Sequence, residues 1–242
     1  MARRLRPRRL VGEERDRRET WVNRVHILVE GQTEESFVKT ILAPHLHRFG
    51  VHAVAILLTT KRVKAGGHFK GGVTSYSKVK RDVQRLLGDS SARAVTTMID
   101  FYGLPQDFPG KGNLSGTTCY ERVEQLEEAF KADVGEPRFM PYLSLHEFES
   151  LLLVSPETVA TAFPDRSNVE QELKSWTASV SPEEVDEGPE SHPAARLQRL
   201  LPGFRKALHG PLITARIGLE AIRDRCRHFN AWVESLQRLG GA

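Results

Sequence analysis

The segment VEGQTEE, residues 29–35, carries the first acidic residues with a chemical meaning. Glu30 follows an apolar run, and Glu34 and Glu35 stand where a helix would begin. A carboxylate at the end of a buried strand is costly unless a cation meets it. Acids in a first helical turn can instead complement the helix dipole, so for Glu34 and Glu35 both interpretations stay open.

Two further segments place acids beside apolar runs. Asp100 ends the run in TMIDFYG, residues 97–103, where it would either join Glu30 or form a turn or helix cap. In YLSLHEFESLLL, residues 142–153, Glu147 and Glu149 share a face if the strand continues. They diverge by about 200° if a helix opens there.

Gathered at one edge, these carboxylates could not all stay ionised without a compensating cation. Oxygen-only ligands select a hard ion, so the expected cofactor is Mg²⁺ or Mn²⁺, and the chemistry such ions favour is attack on phosphate esters. We predict Glu30 and Asp100 as catalytic residues. The predicted metal ligands are Glu30, Glu34, Asp100, Glu147 and Glu149.

Basic residues supply candidates for phosphate contact. Between residues 61 and 81 there are seven lysines or arginines and no acid, interleaved with glycines, although a solvated loop has the same composition. Lys111 is a candidate for stabilising charge in the transition state. The predicted nucleic-acid-binding residues are Lys61, Arg62, Lys64, His68 and Lys70.

The elements that must position these residues alternate along the chain. Apolar runs predict strands at 24–30, 51–59, 94–100 and 138–145, and helical spacing predicts helices at 33–49, 75–87 and 118–131. Such alternation predicts an α/β, Rossmann-like fold with a mostly parallel four-stranded sheet flanked by helices. Ligands then sit at the carboxyl ends of the strands.

Composition divides the chain further. Residues 1–22 form a basic N-terminal tail with eight arginines among the first 18 residues, either a disordered extension or a phosphate-contacting arm. After an α/β domain at 23–176, residues 177–195 contain five acids and no lysine or arginine, which favours a solvated linker or surface loop. A C-terminal helical extension at 196–242 is predicted to contain two helices.

The overall composition limits the class of protein. Its 39% hydrophobic and 27% charged residues are typical of a globular chain, and no apolar run is long enough for a membrane span. Two distant cysteines without ligand spacing argue against a disulfide framework or structural zinc site. We therefore expect a cytoplasmic protein without a membrane partner.

VEGQTEE after a first strand and MIDFYG after a later one resemble the Toprim domain, which has a glutamate after its first strand and a DxD after its third. With HEFESLLL, HGPLITARIGLEAIRDRC and HFNAW, the chain resembles the Toprim-like branch catalogued as domain of unknown function 4276, over residues 24–236. Glu30 matches the family glutamate and Asp100 the first aspartate. Tyr102 stands where the second aspartate would be, so Glu147 or Glu149 would have to replace it.

The resemblance implies a Toprim-like fold related to OLD-family nucleases. It also implies a bacterial antiphage-defence effector that cleaves DNA or RNA and works with an ABC-type or SMC-like ATPase. A catalytically inactive nucleic-acid-binding or regulatory subunit is the alternative, which Tyr102 favours. A phosphohydrolase with an aspartyl nucleophile fits poorly, because its DxD would follow the first strand. Assembly into a homo-oligomer stays open.

Overall fold

A parallel sheet lies at the centre of the computed structural model, which describes residues 23–58, 73, 75–185 and 192–241. The strand order is β2-β1-β3-β4, β5 also pairs with β3, and every pairing in this described part is parallel. The predicted α/β, Rossmann-like class is confirmed. The strands are β1 (Asn23–Val29), β2 (Val51–Leu57), β3 (Ala92–Asp100), β4 (Phe139–Met140) and β5 (Leu143–Ser144).

The register of the three long strands decides where their ends lie. Val29 pairs with Leu57 of β2 and with Met98 of β3, so the carboxyl ends of all three strands reach the same edge of the sheet. Glu30 follows β1 there, and Asp100 closes β3. Parallel sheets present their ligand sites at this edge.

The predicted fourth strand is two short strands instead of one. Pro141 has no N–H to donate to a ladder, and it stands between β4 and β5. The hydroxyl of Thr97 then bonds both to the N–H of Tyr142 at 3.0 Å and to its carbonyl at 2.8 Å. A side chain of β3 therefore takes the place of the backbone ladder at the break.

The described ranges contain ten α-helices, and the predicted helices at 33–49, 75–87 and 118–131 are among them. The first of these contains a π-helical segment, Val38–Leu42, directly before Pro44, which cannot donate the usual helical hydrogen bond. The helices are α1 (Gln32–Phe37), α2 (Ala43–His47), α3 (Tyr76–Leu87), α4 (Cys119–Val134), α5 (Pro156–Thr161), α6 (Val169–Trp176), α7 (Pro193–Leu200), α8 (Lys206–Ile217), α9 (Leu219–Arg225) and α10 (Arg227–Gln237). Short 3-10 helices span Lys111–Asn113, Phe148–Val154, Pro182–Glu184 and Arg238–Gly240.

Different helices cover the two faces of the sheet. Side chains alternate along β1, so Leu28 packs with α3 and α4 on one face, while Ile27 and Val29 pack with α1, α2, α9 and α10 on the other. Phe130 of α4 and Phe229 of α10 are both fully buried. Burial of such a side chain contributes about 2 kcal/mol to folding. Because Phe229 packs in the same cluster as Ile27 and Val29 of β1, α10 belongs to the same core as the sheet.

Residues 177–185, the described part of the predicted linker or surface loop, are partly exposed and partly buried. Pro182, Glu183 and Val185 are buried, and the Glu183 carboxylate accepts hydrogen bonds from the backbone N–H groups of His228 and Phe229, both at 2.9 Å. The Glu183 carboxylate caps the start of α10, and these hydrogen bonds compensate for its burial. The C-terminal part from 196 onward holds α8, α9 and α10 after the end of α7, so the prediction of two helices was wrong.

A third hydrophobic cluster joins segments on both sides of this acidic stretch. It packs α5 and α6 against α7 and α8 through Leu173, Leu197 and Ile213, with Val185 between them. The predicted N-terminal tail at 1–22 lies outside the described residues. Within the described ranges, no helix has the length and apolar character needed to cross a membrane.

Candidate metal centre

Five acidic side chains come together at the carboxyl edge of the sheet, and we call them the acidic cluster. Glu30 follows β1 directly, and its carboxylate accepts a hydrogen bond from the backbone N–H of Asp100 at 3.2 Å. The two acids are therefore neighbours, as the parallel register of β1 and β3 requires. The members of the cluster are Glu30, Glu34, Asp100, Glu147 and Glu149.

Glu34 has the capping role that its position allows, but it is also buried in the cluster. Its carboxylate accepts the N–H of Gly31 at 2.9 Å, at the start of α1, and its side chain is only 6% exposed. Glu35, next in sequence, instead forms a surface ion pair with Lys39. Glu34, which was predicted as a metal ligand, and Glu35, which was not, thus have different surroundings.

The HEFE segment is neither a continuing strand nor a helix that contains both acids. His146 has a left-handed backbone with φ of 60°, which costs a non-glycine residue about 1 to 2 kcal/mol. Glu147 is extended, and the 3-10 helix starts at Phe148. Asp100 accepts the N–H of Phe148 at 3.0 Å, so its carboxylate caps this helix while facing Glu149.

Within the described ranges, Lys206 at the first position of α8 brings an ammonium group to the cluster. Its ammonium lies 3.1 Å from a carboxylate oxygen of Glu149 and 3.4 Å from one of Glu147. Lys206 is not among the residues predicted from the sequence, because no spacing connects position 206 with position 147. The packing of α8 against α1 and against the 3-10 helix Phe148–Val154 brings Lys206 to the acidic cluster.

Residues at the start of α7 also contact the Glu147 carboxylate. His192 Nδ1 lies 2.8 Å from the Glu147 carboxylate, and the N–H of Ala194 donates to the same oxygen at 2.9 Å. Tyr102 stacks on the His192 ring with 4.5 Å between centroids. Tyr102 therefore supports an acid of the cluster through His192 and adds no carboxylate of its own.

Burial and mutual repulsion shift the protonation of the cluster. Burial, followed by the charge of Glu34, raises the pKa of Glu30 to about 7. Burial also raises the pKa of Asp100 well above its usual range, with Glu30 and Glu34 adding to the shift. The pKa of Glu34 itself is raised, again mainly by burial.

The Lys206 ammonium compensates only part of this charge. Burial raises the pKa of Glu149 to about 7 although Lys206 lies against it. Burial alone would lower the pKa of Lys206, but Glu149 and Glu147 more than offset this, so its pKa is raised and it stays charged. Among the described residues, one ammonium faces five carboxylates, so this charge calls for bound protons or a further cation.

Asp100, Glu147 and Glu149 fit a divalent ion. Each offers one carboxylate oxygen, and these oxygens all lie within 4.8 Å of one another. Ligand atoms at about 2.1 Å from a magnesium ion are separated from one another by up to about 4.2 Å. The separation of the three carboxylate oxygens is thus close to that of ligands around one ion. The second oxygen of Glu149 is buried and has no hydrogen-bond partner in the described part of the chain, as expected of an atom that awaits a ligand.

The structure does not place Lys111 at the cluster. Its ammonium donates to the backbone carbonyl of Leu104, and its pKa is lowered by burial. Lys206 is therefore the better candidate for stabilising negative charge. The predicted nucleic-acid-binding residues, Lys61, Arg62, Lys64, His68 and Lys70, lie outside the described residues.

A family model described as a domain of unknown function, DUF4276, matches residues 29–237. The match starts at the last residue of β1 and ends at the last residue of α10, so it contains the whole acidic cluster and Lys206. No curated protein and no solved structure matches the chain. The match covers far more than half of the 242 residues, and the chain therefore belongs to the DUF4276 family.

Proposed function

We propose that the chain is a metal-dependent nuclease that hydrolyses phosphodiester bonds of DNA or RNA with Mg²⁺ or Mn²⁺. The observation that carries the proposal is the close approach of carboxylate oxygens from Asp100, Glu147 and Glu149, all within 4.8 Å. Oxygen-only sites select hard divalent ions, and such ions support attack on phosphate esters.

The residues have separate roles in this proposal. Asp100, Glu147 and Glu149 hold the ion, and Glu30 binds it or accepts a proton from the attacking water. A bound divalent ion would supply a nucleophile at neutral pH and stabilise the leaving oxygen. Lys206 adds positive charge beside the phosphate.

The order of acids along the strands supports a relationship with Toprim and OLD-family nucleases as part of the same proposal. A glutamate follows β1 and an aspartate ends β3. On this proposal Glu147 and Glu149 replace the second aspartate of the DxD motif, at whose position Tyr102 stands. On this proposal the chain acts in the bacterial cytoplasm, as an antiphage effector controlled by an ABC-type or SMC-like ATPase.

A cleavage assay tests the proposal. Purified full-length protein with Mg²⁺ or Mn²⁺ should nick plasmid or cut RNA, and EDTA should stop it. Glu30→Gln keeps the shape but removes the charge, so it should slow cleavage at least about 100-fold. Glu35→Gln, at a partly exposed position of α1 that pairs with Lys39, is the matched control and should cleave like the wild type. Equal cleavage by Glu30→Gln would discredit the site.

A second candidate is a non-catalytic regulatory or nucleic-acid-binding subunit. It is favoured by the Lys206 ammonium, which already bridges Glu147 and Glu149, and by Tyr102 in place of an aspartate. Calorimetry separates the two functions. A nuclease should bind Mn²⁺ with heat that Glu149→Gln reduces, whereas nucleic-acid binding without any Mn²⁺ binding would favour the regulatory subunit.

A further inference from the structure

Helix α8 exposes apolar side chains on the side that faces away from the core. Leu208 is 41% exposed and Leu212 is 54% exposed, and Ala215 is exposed as well. Ile213 and Thr214, on the other side of the helix, are buried. A surface helix normally places polar residues toward water, and a helix that is apolar on all sides is normally covered. The solvent side of α8 therefore has the composition of an interface.

The exposed residues form a narrow stripe along the helix. At about 3.6 residues per turn, Leu208, Leu212 and Ala215 lie within about 60° of one another around the helix axis. Arg205 directly precedes the helix, and Arg216 lies in its last turn. The step between the two arginines is about three full turns and about 16 Å, so they stand at the two ends of the same stripe. The α8 stripe consists of Arg205, Leu208, Leu212, Ala215 and Arg216.

Both arginines of the α8 stripe are exposed to solvent. Neither guanidinium group has an ion-pair or hydrogen-bond partner in the described part of the chain. By contrast, Arg223 lies 3.3 Å from a carboxylate oxygen of Glu220, and Arg238 lies 3.9 Å from one of Glu234. The α8 stripe thus combines an apolar centre with two positive ends whose charge is available to a partner.

The charges of the stripe distinguish among possible occupants. A second copy of the chain would bring arginine against arginine, because parallel stripes pair Arg205 with Arg205 and antiparallel stripes pair Arg205 with Arg216. Such like-charge contacts are unfavourable at an interface. A nucleic acid would neutralise the arginines but would place the exposed leucines against a charged backbone. A protein segment with an apolar centre and acidic ends satisfies both parts of the stripe.

We infer that the α8 stripe is a docking surface for a partner protein, which presents an amphipathic helix with an apolar centre and acidic side chains about 16 Å apart. Packed helices have their axes about 8 to 10 Å apart, which brings the apolar side chains of both helices into contact. The inference does not depend on the proposed function, because no residue of the α8 stripe belongs to the acidic cluster.

Fluorescence anisotropy of the full-length protein with a labelled synthetic peptide tests the docking. The probe is a helical peptide of about 18 residues, with leucines three and four positions apart along one face and two glutamates near each end, about 16 Å apart. A second peptide has lysines in place of the glutamates. The glutamate peptide should bind at least about tenfold more tightly than the lysine peptide at low salt.

Variants of the stripe should weaken binding of the glutamate peptide. Leu212→Ser should weaken it about tenfold, through loss of apolar contact, and Arg216→Gln about threefold, an effect that high salt should remove. Leu57→Ser and Arg93→Gln are the matched controls, because both are exposed positions on strands rather than on α8. Each control should change the affinity by less than about twofold. Thermal unfolding shows which variants are folded.

Any of several results would overturn the inference. The glutamate peptide would not bind at concentrations up to about 1 mM, the lysine peptide would bind equally well, or folded Leu212→Ser would bind like the wild type. Light scattering that shows a wild-type dimer and a Leu212→Ser monomer would make a second copy of the chain the occupant. Anionic lipid vesicles that bind through Leu212 more tightly than the peptide would assign the stripe to a membrane surface.

Discussion

At the scale of single residues, the acidic cluster depends on one lysine. The Lys206 side chain is 37% exposed, while the Glu149 side chain that it contacts is 1% exposed. Removing one partner of a buried ion pair leaves the other charged and desolvated, which costs more than the pair itself contributes. Lys206 thus sets how much negative charge the folded chain can tolerate without a metal.

Lys206→Met should lower the free energy of unfolding at pH 8 by about 2 kcal/mol, less than for a fully buried pair because Lys206 is partly exposed. Added Mn²⁺ should restore part of the loss. Urea unfolding measures both. Lys39→Met removes a surface pair with Glu35 and should cost less than about 0.5 kcal/mol. Equal effects of the two variants would contradict this account.

At the scale of elements, the close approach of α8 to α1 positions Lys206. Gly210 lies one turn after Lys206, where a Cβ would come within 2.8 Å of Thr33 Cγ2 and 3.2 Å of the Phe148 ring. Any side chain at this position must push α8 away from both neighbours. Glycine is therefore required for contact between helices here, not for an unusual backbone angle.

Gly210→Ala should destabilise the fold by about 1 to 3 kcal/mol through overpacking. Thr33→Ser removes the closest methyl group, so the double variant should recover part of the lost stability. Thermal unfolding measures the effect. Gly112→Ala is the control, because a Cβ there meets nothing within 4 Å. If Gly210→Ala were as stable as the wild type, the packing of α8 could not position Lys206 as described.

At the scale of the whole molecule, three distant parts of the chain deliver carboxylates to one edge, and overall stability must respond to their titration. The folded-state pKa of Glu149 is about 7, against an ordinary value of 4.5. A raised carboxyl pKa means that the folded state binds the proton more tightly. The contribution of Glu149 to stability is therefore greatest at low pH and falls as pH rises from about 4.5 to about 7.

The free energy of unfolding of the metal-free protein should consequently fall between pH 5 and pH 8, by about 3 kcal/mol for Glu149 alone. Glu149→Gln should flatten this dependence. Mn²⁺ should raise the melting temperature more at pH 8 than at pH 5, since it competes with protons for the same oxygens. Stability that rises with pH in this window would show that the cluster is not buried as described.

Local patterns in the amino-acid sequence were sufficient to predict the main strands and helices and the acids at the strand ends. Apolar runs predicted β1, β2 and β3, helical spacing predicted α3 and α4, and strand ends predicted Glu30 and Asp100 as neighbours. These features depend on periodicity and on the rule that parallel strands end at one edge. They need no knowledge of which distant segments pack together.

The groups that surround the acids could be identified only from the packing of distant segments. Lys206 and His192 lie more than 40 residues beyond Glu147, and no local pattern links them to it. The same holds for Glu183, whose acidic surroundings suggested solvent although its carboxylate caps α10. A buried charge is stable only where packing supplies donors from elsewhere in the chain, and composition does not encode that long-range geometry.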